Sequence, residues 1–448
     1  MDPAAPPRPP QIPRLPVRLP VEIIEQIIHY LLPQVSQLVA PAQACRVWYT
    51  VCIPLIWRRF APLMSGKLQY LPPLQHLLRA EYDTMRNMVI NVAQRGSSLN
   101  PILNFSSNFL LIQEVDLSAS ARSNPSPDAQ ISDNLLTFLV NCTKLRRLEV
   151  AGCANVKGSA FGLILSVLPS LTRLSIANCD RIRTLADELS QCGAPLAIVN
   201  MSGLHDLTDV NESVREVFLQ CSRTLEVLVL DWSELPGKGE VYLRDRGADS
   251  HLSEDAFISL DDLPPMEHLR ELSLSRCTLI GDNVLRHLLP HRGNLETLRL
   301  DYCLQTTPFT LTLFLTGCPH LRILDLSDTP SATDAVVSTV ATACPHLQWL
   351  ALRGTLGAVT DASLQSLAAH STDLRALSLN MNVHVTWLAL VHLARACARL
   401  EALALVGCVQ MIDTPVGELF VEFAQGYDVH CMQFHGRVEI ARVANLDV

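Results

Sequence analysis

The feature that most constrains this chain is an internal repeat with a period of 26 residues. The motif L-x-x-L-x-L recurs along it, and its last six copies begin at residues 269, 295, 321, 347, 374 and 400. Self-similarity at such a period is typical of stacked repeat architectures, in which no unit can bury its apolar face alone. Further copies begin at Leu145, Leu171 and Leu225, and weaker ones at Met85, Ile112 and Leu196.

Each unit predicts a strand, a turn, a helix and a second turn. The last two apolar positions of the motif are two residues apart, as in a short strand with one buried face. Eight residues after the first leucine stands a cysteine or a small polar residue, which fits a narrow slot and can bond the loop backbone. An Asp thirteen or fourteen residues after that leucine predicts a helix start. The slot residues include Cys153, Cys179, Cys277, Cys303, Thr329, Thr355, Asn382 and Cys408, and the Asp positions are Asp209, Asp282, Asp334, Asp361 and Asp413.

Stacking these units in register predicts an α/β solenoid with the strands on its concave face, since helices are wider than strands. Over roughly residues 80–425 the pattern resembles the cysteine-containing subclass of leucine-rich repeats. We therefore expect a leucine-rich-repeat horseshoe of about 12 strand-helix repeats at 85–425, a linker or N-terminal cap at 61–84, and a C-terminal cap and tail at 426–448. One unit spans 44 residues from Leu225 to Leu269, and its excess, at 234–252, is expected to be a surface loop.

The charge and the distribution of apolar residues argue against some classes of binding partner. Lys and Arg number 35 against 44 Asp and Glu, a formal net charge of −9, which argues against a nucleic acid or an anionic membrane as partner. Stretches of about 18 residues without charged or strongly polar side chains do not occur, so no membrane-spanning segment is expected. We expect protein partners, with no nucleic acid and no membrane.

The N-terminal residues and the cysteines indicate the cellular compartment in which the protein is expected. Residues 1–18 are a proline-rich tail, expected to be disordered, without the apolar core of a signal peptide. The chain has 14 cysteines but no CxxC pair, which fits neither a zinc ribbon nor a thioredoxin-type site. A reducing compartment is therefore expected, cytoplasmic and/or nuclear, since no Lys/Arg block decides between the two.

Residues 19–60 follow a helical rather than a 26-residue pattern. The stretch LPVEIIEQIIHYLLP places Ile23, Ile27, Tyr30 and Leu31 on one helical face. About forty residues make a marginal core, so part of this apolar surface must pack on the first repeats or on another protein.

This segment resembles an F-box. The matching residues are Leu19-Pro20-x-Glu22-Ile23, then Cys45-Arg46-x-Trp48, then Pro54 and Trp57-Arg58, while Pro41 interrupts a helix that is usually continuous in that family. The resemblance implies binding to a Skp-family adaptor and, through it, to a cullin-RING ubiquitin ligase. The residues expected to contact the adaptor are Leu19, Pro20, Ile23, Ile27, Leu31 and Trp57.

The outward positions of the strands are the expected target-binding residues. Trp349, with charged residues near it, has the composition of an interface hot spot, although single surface tryptophans are also common. Acidic and basic residues alternate here, so a basic trough for phosphorylated targets is not indicated. The selected residues are Arg299, Asp301, Asp325, Trp349, Arg353 and Asn380.

Together these features predict a substrate-recognition subunit of an SCF-type E3 ubiquitin ligase that is not itself an enzyme and needs no cofactor or metal. The alternative is an interaction scaffold whose F-box-like helices only cap the solenoid. Cys318-Pro-His320 and Cys344-Pro-His346 could resemble nucleophile and base pairs, but their recurrence 26 residues apart indicates structural positions. The spacing of His430-Cys431-x-x-x-His435 matches no closed zinc site.

Overall fold

The computed structural model describes residues 113–116, 136, 139–153, 156–232, 252–355, 357–411, 413–424 and 433–446. The predicted F-box-like segment, with its six adaptor-binding residues, lies outside the described residues. So do the repeat copy at Met85 and nearly all of the 234–252 insertion.

All described strands form one sheet whose spatial order equals their order in the chain. Strands β1 to β11 pair in parallel, and β12 pairs antiparallel with β11. The strands are β1 (Glu114–Asp116), β2 (Arg147–Glu149), β3 (Arg173–Ser175), β4 (Ile198–Asn200), β5 (Val227–Val229), β6 (Glu271–Ser273), β7 (Thr297–Arg299), β8 (Ile323–Asp325), β9 (Trp349–Ala351), β10 (Ala376–Ser378), β11 (Ala402–Ala404) and β12 (Gln433–His435).

Helices alternate with the strands, and neighbouring helices pack against one another along most of the array. The predicted α/β leucine-rich-repeat solenoid is confirmed. The α-helices are α1 (Ser159–Val167), α2 (Ala186–Ser190), α3 (Val210–Cys221), α4 (Asp282–Leu288), α5 (Pro308–Leu315), α6 (Asp334–Ala343), α7 (Asp361–His370), α8 (Trp387–Ala396), α9 (Pro415–Ala424) and α10 (Arg437–Ala444). Short 3-10 helices lie at Leu139–Asn141, Glu254–Ala256, Ile258–Asp262, Leu289–His291 and Val409–Met411.

The core is a continuous column of leucines from successive motifs. In the unit that begins at Leu321, all three motif leucines are fully buried, and the same holds for the unit that begins at Leu295 to within 1%. The slot position is also buried, and its side chain generally bonds a strand-end carbonyl of the preceding repeat, as Cys303 Sγ does with Leu274 O at 3.3 Å, whereas Thr355 donates to the Asn382 side chain. Thr329 Oγ1 donates to Leu300 O at 2.8 Å, and Asn382 Nδ2 donates to Leu352 O at 2.7 Å. Hydroxyl, amide and thiol side chains thus serve one role, as the sequence pattern predicts.

The Asp positions lie at or just before helix starts, as predicted. The carboxylates of Asp282, Asp334 and Asp361 serve the next repeat, whereas that of Asp209 accepts backbone N–H groups of the preceding repeat. Asp334, the first residue of α6, accepts hydrogen bonds from the backbone N–H and the hydroxyl of Thr360 at 2.8 and 2.7 Å. Thr360 is in turn the N-cap of α7. Asp361 bonds Thr386, the N-cap of α8, in the same way. These carboxylates join the starts of neighbouring helices and so keep the repeats in register.

The described end of the 44-residue unit, from residue 252 on, carries two 3-10 helices, Glu254–Ala256 and Ile258–Asp262. The buried side chain of His291 holds this segment in place through two hydrogen bonds. His291 Nδ1 accepts the backbone N–H of Met266 at 3.2 Å, which places the ring proton on Nε2, where it is donated to Leu260 O at 3.2 Å. Burial lowers the pKa of His291, although its bond to the Leu260 carbonyl opposes that shift. The ring is therefore held neutral.

At the C-terminal end, β12 and α10 cover the edge of β11. Phe434 is fully buried, the backbone N–H of Gly436 donates to Glu401 O at 2.7 Å, and Arg437 pairs with the Glu401 carboxylate at 2.8 Å. The guanidinium of Arg395 on α8 donates to two carbonyls at the end of α10. The parallel sheet thus ends on a segment that departs from the repeat. None of the helices in the described ranges is long and apolar enough to cross a membrane.

Candidate functional site

The strand face is built from three columns of side chains that run across the sheet. Parallel pairing in register places Glu271, Thr297, Ile323 and Trp349 side by side in the first column. Ser273, Arg299, Asp325 and Ala351 form the second column. Backbone hydrogen bonds continue past the strands and align a third column, two residues beyond the second. Its members are Asp231, Ser275, Asp301, Ser327, Arg353 and Asn380.

An acidic centre occupies the middle of this face. We use that name for the carboxylates of Asp231, Glu271, Asp301 and Asp325 together with the guanidinium of Arg299. Arg299 Nη1 donates to Glu271 Oε1 at 2.7 Å, and both side chains are about one-third exposed. The guanidinium also acts electrostatically on Asp231 and Asp325. Four carboxylates against one cation leave this part of the surface negative.

Asp325 belongs to this centre and is largely buried. Burial raises the pKa of its carboxyl and the charge of Asp301 adds to that rise, while a hydrogen bond from Ser327 and the charge of Arg299 oppose it. The Ser327 N–H donates to Asp325 Oδ1 at 3.0 Å, which fixes the orientation of the carboxyl. A preoriented, partly dehydrated carboxylate interacts more strongly with a cation than one in bulk water does.

Asp231, which was not among the residues selected from the sequence, is a second, partly buried carboxyl. It accepts the Ser275 N–H at 3.1 Å and the Ser273 hydroxyl, and burial raises its pKa. These contacts also cover both serines, which the strand pattern treats as outward positions but which are at most 8% exposed. Asp231 stands six residues after Leu225, so the rule used for the other repeats would have identified it.

Trp349 lies on the strand next to the acidic centre. It begins β9 and pairs in register with Ile323 on one side and Ala376 on the other. Its indole is partly exposed. Alanines at 376 and 402 continue the same column, so the ring extends farther from the sheet than its neighbours on that side. Trp349 thus stands beside a run of small apolar side chains in the first column.

Arg353 and Asn380 lie farther along the third column. Arg353 is exposed, with Nε 3.7 Å from the Asp328 carboxylate. Asn380 Oδ1 accepts the backbone N–H of Val406 at 2.7 Å and so supports the turn of the next repeat. The structure brings Arg299, Asp301 and Asp325 together as one group. Trp349 and Arg353 flank that group, and Asn380 has an architectural bond.

The thiols of the two Cys-Pro-His sequences are inaccessible. Cys318 and Cys344 are fully buried, and burial raises the pKa of each to about 12. Since the thiolate is the nucleophilic form, thiols in this state are poorly reactive. No group of three or more His, Cys, Asp or Glu side chains able to hold a metal ion occurs in the part of the chain that the structure describes.

Comparison with known proteins agrees with this architecture. A family model described as F-box-like matches residues 17–62, and a leucine-rich-repeat model matches residues 266–283. The chain therefore combines an F-box-like domain with leucine-rich repeats, and the resemblance inferred from the sequence is confirmed.

Several solved structures are similar in shape. A chain of the Rad7 and Elc1 complex of yeast is 17% identical, with coverage of 82% of this chain and 93% of that chain and a TM-score of 0.45. The leucine-rich-repeat protein LegL7 of Legionella pneumophila is 16% identical, with coverage of 73% of this chain and 97% of that chain and a TM-score of 0.36. A chain of the mouse RP105/MD-1 complex is 19% identical, with coverage of 67% of this chain and 47% of that chain and a TM-score of 0.37.

Proposed function

We propose that this protein is the substrate-recognition subunit of an SCF-type E3 ubiquitin ligase, acting in the cytoplasm and/or nucleus. The F-box-like domain binds a Skp-family adaptor and, through it, the cullin-RING ligase, while the concave strand face binds the target protein. The observation that carries the proposal is the presence in one chain of an F-box-like domain at 17–62 and a repeat array with a varied, partly exposed strand face.

The subunit itself makes and breaks no bond. Its contribution is proximity, because holding the target beside the ubiquitin-loaded enzyme raises the effective concentration of the target lysine. Trp349 supplies an apolar anchor, and the acidic centre supplies orientation through charge. Four carboxylates against one guanidinium disfavour a phosphorylated segment at that position.

The adaptor half is tested by co-purification. The wild-type chain is expected to capture a Skp-family adaptor and a cullin, and a variant with both Leu19→Ala and Pro20→Ala is expected to lose both. Circular dichroism of the variant should be unchanged, because both residues precede the repeats. Failure of the wild-type chain to capture an adaptor, or capture that the double variant leaves unaltered, would rule out the ligase assignment.

The target half uses a matched pair of aromatic substitutions. Trp349→Ala is expected to weaken target binding by about 2 kcal/mol, or about 30-fold, while adaptor capture persists. Phe309→Ala is the control, since Phe309 is 76% exposed on α5, away from the strand face. Equal loss of target from both variants, or from neither, would show that the strand face does not hold the target.

Deletion of residues 1–60 separates the ligase subunit from the capping scaffold. If the N-terminal helices only cap the solenoid, the first repeats unfold in the deleted chain. If they form the adaptor module, the array stays folded and retains its target but loses the adaptor. Hydrogen exchange over β1 to β3 reads out the difference.

A further inference from the structure

Lysine is scarce in this chain, although arginine is plentiful. The sequence has 31 arginines and 4 lysines, and residues 239–448 contain 14 arginines and no lysine. Lysine is normally among the commonest residues of a globular protein. The lysine-free part includes β6 to β12, which carry Trp349 and most of the acidic centre. The four lysines are Lys67, Lys144, Lys157 and Lys238.

Three exposed arginines in that part make contacts that a lysine could also make. Arg270 Nη1 donates to Glu296 Oε1 at 2.9 Å, and Arg322 Nε lies 3.6 Å from the other oxygen of the same carboxylate. Arg399 Nη1 donates to the Asp373 carboxylate. The three arginine side chains are 63%, 55% and 58% exposed. A contact through one nitrogen does not use the planar, forked geometry that distinguishes arginine from lysine.

Other arginines of the same repeats use the forked geometry. Arg437 donates from Nε and Nη2 to Glu401 Oε1 at 3.1 and 2.8 Å. Arg395 donates from Nε and Nη2 to two backbone carbonyls, each at 2.7 Å. A lysine has one nitrogen and could not reproduce these contacts. Hydrogen-bond geometry therefore accounts for arginine at these two positions and does not account for it at the three single-contact positions.

Lysine and arginine also differ in one reaction that matters beside a ubiquitin ligase. In ubiquitin transfer, the neutral ε-amine of a lysine attacks the thioester carbonyl of the ubiquitin-loaded enzyme. An isopeptide C–N bond forms, the C–S bond breaks, and the departing thiolate takes up the proton that the amine loses. A guanidinium stays protonated in proteins, so it is not an acceptor in this reaction. Arginine thus supplies positive charge without a site for ubiquitin.

We propose that the lysine-free repeats, residues 239–448, are a surface protected from self-ubiquitination, on which arginine takes the place of lysine. This inference rests on the proposed ligase function. A target held at Trp349 must present its lysines to the loaded enzyme, so the same enzyme reaches the receptor surface around Trp349. The described lysines, Lys144 and Lys157, are exposed but lie beside β2 and α1. Strand β2 is seven strands from β9, or roughly 30 Å along the sheet.

The test is ubiquitination in vitro of the full-length chain in its complex with a Skp-family adaptor and a cullin-RING ligase, without a target. An array variant keeps the positive charges and carries Arg270→Lys, Arg322→Lys and Arg399→Lys. A matched control variant has the same number of new lysines at exposed positions near the existing ones, Arg146→Lys, Arg181→Lys and Arg223→Lys. Peptide mapping of the ubiquitin remnant locates each modified lysine.

The expected result is a difference between the two variants. If every lysine were equally accessible, three added to four would raise the rate of self-ubiquitination by less than about twofold in both. We expect the array variant to be modified at least about fivefold faster than the wild-type chain, at the new lysines, and the control variant to stay within about twofold. In cells with protein synthesis blocked, the array variant should have a shorter half-life, which a proteasome inhibitor restores.

A third variant tests whether the lost ion pairs, rather than the new amines, shorten the half-life. It carries no new amine, and its half-life should equal that of the wild-type chain. Its substitutions are Arg270→Gln, Arg322→Gln and Arg399→Gln. An equally short half-life for this variant would overturn the inference, as would equal rates of modification for the array and control variants or new array lysines that stay unmodified.

A lysine-bearing peptide fused after Val448 distinguishes failure of this inference from failure of the proposed function. If the peptide on the wild-type chain is ubiquitinated while the array lysines of the variant are not, the ligase assignment stands and the protected surface is wrong. If neither the peptide nor the array lysines are modified, the ligase assignment itself is wrong.

Discussion

The carboxylate of Asp334 is expected to carry a measurable part of the stability of the array. Replacement by Ala removes three acceptor contacts to the following repeat. These contacts are with the N–H and hydroxyl of Thr360 and with the hydroxyl of Ser363 on α7. The Ser363 side chain is fully buried, so its hydroxyl would be left without a partner or with only a disordered water.

The size of the effect follows from these partners. An unpaired buried hydroxyl costs about 1–3 kcal/mol. The other partner, Thr360, is partly exposed and can bond water instead, so losing its contacts costs about 1 kcal/mol at most, of the order of a lost helix cap. We therefore expect Asp334→Ala to lower the free energy of unfolding by about 3 kcal/mol. Ser363→Ala should cost about 1 kcal/mol, because one acceptor contact of the partly solvated carboxylate is lost.

A double-mutant cycle in urea, followed by circular dichroism, tests this account. Because Ser363→Ala removes the hydroxyl that Asp334→Ala leaves unpaired, the double variant should lose at least about 1 kcal/mol less than the sum of the single losses. Strict additivity would refute the reasoning. Burial alone would raise the pKa of Asp334, but the bonds from Ser363 and Thr360 outweigh it and the pKa is lowered. The stabilisation is therefore present above the unfolded-state pKa, about 3.9, and lost as the pH falls through the folded value.

Three further predictions rest on single sites. Gly158→Ala should lower the free energy of unfolding by about 1–3 kcal/mol, because its Cβ would lie 1.8 Å from the Thr184 carbonyl oxygen. Gly293→Ala is the control: its Cβ would meet nothing within 4 Å, so the free energy of unfolding should change by less than about 1 kcal/mol. Equal urea midpoints for the two variants would contradict this prediction. The free energy of unfolding of the wild-type chain should decrease as the pH falls below about 6.5, because the His291 side chain binds a proton more readily in the unfolded chain than at its buried site. His291→Gln should make this free energy less dependent on pH, as measured by urea titrations at pH 5 to 7.5. Leu324→Ala should cost about 3–5 kcal/mol, and a loss under about 1 kcal/mol would indicate that the fully buried site collapses around the smaller side chain.

The acidic centre shows where the repeat pattern stops being informative. The 26-residue period predicts that Leu324 is buried and that Asp325 faces outward, because each follows from its place in one unit. It does not predict that Asp231 covers the serines of β6. That contact depends on how the side chain of one repeat bends over the next, between residues 42 positions apart in the chain.

Spacing along the chain settled the solenoid, the buried leucines, the slot residues and the helix starts, since strand and helix periodicity act within a single unit. Only the packed structure decided which repeat each Asp carboxylate serves and which carboxyls gather around Arg299. Those outcomes depend on the direction of side chains between units, which the spacing within one unit does not fix.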